Sequence, residues 1–134
     1  MCKNVFSVFA LLFSIVPNIA NAQVISLVCN GSMHTYSPGH IEAAISADSV
    51  LIDLDRRTIS SSFGSFRIER VDERTVVINE RNSQLELWGS IDRFTGVMTV
   101  MWFLPQEAAK ISAGLQGKVE RQVDLRCIPS RRLF

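Results

Sequence analysis

The chain has 134 residues, 47% of them hydrophobic, and 14 basic against 13 acidic side chains. So even a balance excludes the basic stripe that a nucleic-acid binder needs to displace counterions. The length allows one domain with its own core.

The first 22 residues read as an export signal: Lys3, an apolar run from Val5 to Val16, Pro17, and small residues at Ala20 and Ala22 where a signal peptidase would cut. The run is shorter than the roughly twenty residues that cross a bilayer. No charged stop-transfer flank follows it, so no membrane anchor is expected after cleavage. Cys2 precedes the run and leaves with it. The expected mature chain, residues 23–134, has 112 residues and carries 13 bases, eleven of them Arg, against 13 acids.

Two cysteines remain, Cys29 and Cys127, and in an oxidising compartment pairing is their default state. The rival readings are a metal site and a catalytic thiol. A structural zinc site wants four clustered ligands, and only His34 and His40 could join these cysteines, so no metal or cofactor is expected. Ile25, Leu27 and Cys29 share one face of a first strand, Val24 to Cys29. Val119, Val123, Leu125 and Cys127 share one face of a last strand, Lys118 to Cys127. Both sulfurs therefore fall on an apolar side. Arg121 interrupts the second pattern and suggests a bulge.

Between these ends, short alternating runs are separated by turn residues every eight to ten positions. Ser49 to Asp55 turns at Asp55-Arg56-Arg57 into Thr58 to Phe63, and Gly64-Ser65 breaks that run. Phe66 to Val71 turns at Asp72-Glu73-Arg74 into Thr75 to Glu80, followed by the turn Arg81-Asn82-Ser83. Gln84 to Ile91 returns through Asp92-Arg93-Phe94-Thr95-Gly96 into Val97 to Phe103, with Gly96 suited to a positive φ. Two stretches resist the pattern. Asn30 to Asp48 contains Ile41, Ala44 and Ile45, which fit one helical turn or a ninth strand. Pro105 to Gly117 has Ala108, Ile111 and Leu115 at helical spacing and room for a short helix only.

The expected fold is all-β: a single antiparallel β-barrel or β-sandwich of eight to nine short strands, its first and last strands joined by a disulfide. Eight strands in strict up-and-down order would set the ends of the first and last strands at opposite rims, beyond the ~7 Å that a disulfide tolerates between Cα atoms. Either an extra strand at Ile41 to Ser46 or a crossover loop is therefore expected.

Few residues suggest chemistry. His34 and His40 flank Tyr36 and offer a general base or a ligand. Asp53 and Asp55, with Asp48 and Glu42 upstream, offer paired carboxylates; beside Arg56 and Arg57 they also read as an ion-paired strand end. Ser60-Ser61-Ser62 lacks the glycines of a nucleophile elbow. Asn30-Gly31-Ser32 matches a glycosylation sequon. The better candidate surface is apolar. If Ile91 pairs with Val97, then Trp88, Met98, Val100 and Trp102 gather on one face of the hairpin. That face is either covered by another layer or open to a ligand or partner, and a one-residue change of register would redistribute it.

Asp53-Leu54-Asp55, Arg70-Val71-Asp72-Glu73, Ser90-Ile91-Asp92-Arg93-Phe94-Thr95-Gly96, Leu125-Arg126-Cys127 and the terminal Arg131-Arg132-Leu133-Phe134, set between two cysteines, resemble small exported bacterial all-β proteins. The resemblance spans most of the mature chain and implies no activity or functional residue. Small β-barrel lysozyme inhibitors resemble the chain in size, export and disulfide use, but their Ser-Gly-x-x-Tyr type of loop is absent. The expectation is a periplasmic or secreted domain that binds an unknown protein or a small apolar ligand in the cell envelope. The alternatives are a carrier with a ligand in a barrel lumen and a small hydrolase using His34 or His40.

Overall fold

A computed structural model of the protein describes residues 24–130. The export signal expected at 1–22 and the terminal Arg131 to Phe134 lie outside the described residues. Eight strands follow one another around a closed antiparallel barrel in chain order: β1 (Val24–Thr35), β2 (Ile41–Asp53), β3 (Thr58–Ser61), β4 (Gly64–Val71), β5 (Thr75–Arg81), β6 (Glu86–Asp92), β7 (Val97–Phe103) and β8 (Arg121–Pro129). A helix, α1 (Pro105–Ser112), lies in the link between β7 and β8. Every ladder is an up-and-down neighbour, and β1 closes against β8 over nine residue pairs from Leu27↔Pro129 to Thr35↔Arg121.

The alternation read from the sequence becomes an inside and an outside. Leu27 and Cys29, Val50 and Ile52, Phe66 and Ile68, Val76 and Ile78, and Val123, Leu125 and Cys127 point inward and form one contiguous cluster. At mid-height the interior is filled by side chains that water does not reach, among them Ile59, Ile68, Ile78, Met98 and Val100. Cys29 and Cys127 are register partners and form the disulfide, their Cα atoms 4.1 Å apart.

The eight strands do run strictly up and down, so neither a ninth strand nor a crossover is needed. The expectation failed because it ended the first strand at Cys29. β1 runs on to Thr35, which puts Cys29 in mid-strand, opposite a residue near the end of β8. Ile41 to Ser46 is the first half of the 13-residue β2, neither a helical turn nor a separate strand. The β1–β2 ladder shifts register between Cys29 and Gly31. There Asn30 faces the extra residues Ser46 and Ala47, Ala47 adopts φ 50°, and its N–H donates to Asn30 Oδ1 at 2.8 Å. The sequon asparagine is thus the acceptor that holds a bulge. Arg121 marks no bulge. It is the first residue of β8, and its guanidinium lies 5.5 Å from the Trp102 ring centroid.

Three turns share one device ten residues apart. Asp72 Oδ1 accepts the N–H groups of Arg74 and Thr75, Asn82 Oδ1 those of Gln84 and Leu85, and Asp92 Oδ1 those of Phe94 and Thr95. Each side-chain oxygen stands in for a backbone carbonyl and reverses the chain. At the third turn Gly96 takes the expected positive φ, 72°, and its carbonyl accepts the Cys127 N–H at 2.8 Å.

Hydrogen bonds to ionised carboxylates favour the charged form. The Thr75 and Arg74 amides hold Asp72 below the usual carboxylate range, and the Thr95 and Phe94 amides do the same for Asp92, with Arg74 beside it. A carboxylate whose folded pKa is depressed contributes stability above its unfolded value near 4, and that contribution is lost as pH falls through the lower folded value. Asn at both positions keeps the turn acceptor and removes the titration. Urea midpoints measured between about pH 5 and pH 2.5 should therefore fall less in the Asp72→Asn/Asp92→Asn double variant than in the parent.

Candidate functional site

The β6–β7 hairpin does not assemble the apolar face expected of it. Asp92 belongs to the strand, leaving a four-residue link, so Ile91 pairs with Met98 rather than Val97 and Trp88 pairs with Met101. The one-residue difference sends Met98, Val100 and Trp102 into the barrel, where each is buried, and leaves Trp88 on the outside. Trp102 joins Phe63 and Phe66, with ring centroids 5.7–6.5 Å apart, in an aromatic plug at the rim that carries the β3–β4 turn. Trp88 packs against Phe103 at 4.8 Å, and its indole N–H donates to Glu86 Oε1 at 3.1 Å. Glu86, buried on this outer side, also accepts Arg81 Nη2 at 2.9 Å. These contacts hold the half-buried Trp88 against the outside of the barrel wall.

The histidines do come together. Ser32 Oγ lies 3.1 Å from His34 Nε2, and His34 Nδ1 lies 3.2 Å from His40 Nε2. With centroids 5.5 Å apart and planes 17° apart, the two imidazoles meet edge to edge, one nitrogen donating and the other accepting, and Tyr36 continues the row 5.2 Å from His40. The chain could relay a proton away from Ser32. It offers nothing to stabilise an oxyanion, because Ser32 sits between β2 and β8 with its backbone committed to both ladders, and the Asp124 carboxylate is its partner on the same face. The carboxylates divide between β2 and the turn that follows it. β2 ends at Asp53, whose Oδ1 accepts the Arg56 N–H; Asp55 lies in the turn; Asp48, within β2, accepts the Ser62 N–H through Oδ2. Ser61 Oγ donates to the Gly64 carbonyl. Among the described residues no group of three or more His, Cys, Asp or Glu side chains could hold a metal ion.

The site that the sequence did not reveal lies at the other rim, where β1 begins, β8 ends, and the turns after β2, β4 and β6 are short. A cavity of about 450 Å³ opens there. Leu27, Ile52, Leu54, Val76 and Ile91 line its walls, and Cys127 brings the disulfide to its lining. Phe94, 77% exposed, stands on the lip with Arg93 and Thr95. The filled mid-section closes the bottom, so the space is a dead-end apolar cup rather than a channel. A second depression, about 620 Å³, lies on the outside between Tyr36 and the α1 segment. Its lining mixes polar and charged groups, Glu107, Lys118, Glu120 and Gln122 among them, with the apolar Leu104 and Val119.

The fold therefore defines an eight-stranded up-and-down barrel with one apolar mouth. No family model, curated protein or solved structure matches the chain. Among the described residues no helix is long and apolar enough to cross a membrane.

Proposed function

We propose that the protein is an exported binding domain, periplasmic or secreted, that takes a small apolar ligand, or the apolar end of a larger one, into the cup at its open rim. The observation that carries this reading is the dead-end cavity of about 450 Å³ walled by aliphatic side chains at a barrel mouth, a common location and size for small-molecule sites. The filled mid-section supports a shallow seat, in place of a lumen that engulfs its cargo. The Cys29–Cys127 disulfide supports export, because such bonds persist in oxidising compartments. The polar groups on the lip suit a ligand whose far end stays in water.

Titration with N-phenyl-1-naphthylamine, a small apolar dye that brightens when desolvated, tests the reading. Saturable binding is expected. Leu54→Glu places a charge against the ligand from a half-buried lip position and should weaken binding about tenfold or more, with thermal stability close to the parent's. Dye binding that is absent, or unchanged in Leu54→Glu, would remove the cup as the site.

A further inference from the structure

The barrel closes on β3 through only three pairs, Leu51↔Ser60, Ile52↔Ile59 and Asp53↔Thr58. From Ile41 to Val50, β2 is bonded to β1 on one side, and among the described residues no strand pairs with its other side. Exposed edges of this kind normally carry a Lys, a Pro or a bulge that discourages further pairing. The stretch Ile41-Glu42-Ala43-Ala44-Ile45 has no Lys, Arg or Pro, and the bulge lies beyond it, at Ala47. Ile41 is 63% exposed, and Glu42, Ala43 and Ala44 are exposed as well.

We propose that a second copy of this chain pairs with this edge, β2 against β2, in an antiparallel register with Ala43 on the two-fold axis. Side-chain chemistry selects that register. Directly opposed residues in an antiparallel pair share a face, so a symmetric pairing must match odd positions with odd and even with even. Centring on Glu42 sets two carboxylates opposite each other, and centring on Ile45 sets Glu42 against Asp48; both oppose like charges. Centring on Ala44 carries Ile41 opposite Ala47, the bulged residue with positive φ. Centring on Ala43 matches Ile41 with Ile45 twice, Ala43 with itself and Glu42 with Ala44. That arrangement covers the exposed isoleucine and opposes no like charges. The isologous contact closes after two copies and leaves the cup at the far rim free.

The experiment is a cysteine scan on the folded, disulfide-intact protein, whose own Cys29 and Cys127 are buried. With mild oxidant, Ala43→Cys should form a covalent dimer at least tenfold faster than Glu42→Cys or Ala44→Cys alone, and mixing those last two should restore fast cross-linking between unlike chains. In sedimentation, the parent should pass from one chain to two between about 10 µM and 1 mM, the range of a small interface. Ala43→Lys, which sets two ammonium groups face to face, should raise the dissociation constant at least tenfold without lowering the melting temperature. A parent that stays monomeric throughout, or an Ala43→Cys variant that cross-links no faster than Ala44→Cys, overturns the proposal and leaves the edge to a foreign strand.

Discussion

Replacing Cys29 and Cys127 together with alanine is expected to lower the free energy of unfolding by about 3–5 kcal/mol and the melting temperature by about 15–30 °C. The bond joins residues separated by 98 positions, so in the chain-entropy picture it restricts a long loop of the unfolded chain. The barrel without it still has the β1–β8 ladder, but those contacts are the most non-local in the fold and their closure entropy returns in full. Urea unfolding of parent and double variant, with m-values compared, measures the difference. Because both sulfurs are buried, a thiol reductant should leave the bond intact in the folded parent and cleave it only as the protein unfolds. A loss under about 1 kcal/mol would mean that the ladder alone holds the seam.

Gly31→Ala should cost about 3 kcal/mol or more, as overpacking against a part of the structure that cannot yield. A Cβ on Gly31 would overlap the carbonyl oxygen of Asp124, and backbone in β8 cannot rotate away as a side-chain tip could. Gly31 pairs with Ile45 on one side and Leu125 on the other, next to the bulge, so any displacement opens both ladders. Gly39→Ala is the internal control. A Cβ there meets nothing within 4 Å, and the expected change is within about 0.5 kcal/mol. A Gly31→Ala variant no less stable than Gly39→Ala would show that the close approach at the seam does not govern Gly31.

How much of this was legible beforehand follows from the range of the forces involved. The turns at Asp72, Asn82 and Asp92, the positive φ of Gly96 and the short helix after Pro105 are decided within four or five residues, and local chemistry announces them. The β1–β2 arm was not legible. Ile41, Ala44 and Ile45 match helical spacing, and Ala, Ser and Glu favour strands only weakly. They are extended because β1 supplies eleven partners, from Thr35↔Ile41 to Val24↔Asp53. The β6–β7 register turned on whether Asp92 counted as turn or strand. A single residue moved Met98, Val100 and Trp102 from a candidate surface to the core.

By itself the sequence determined an all-β chain, the apolar side on which each cysteine lies, and the places where most turns fall. These follow from period-two patterning and turn residues read within a few positions. Only the tertiary structure decided that the sheet closes on itself, that one mouth is plugged by Phe63, Phe66 and Trp102 while the other stays open as a cup, and that half of β2 keeps an unpaired edge. Those features depend on how far each strand runs past its neighbour, which is settled by pairing between residues distant in the chain.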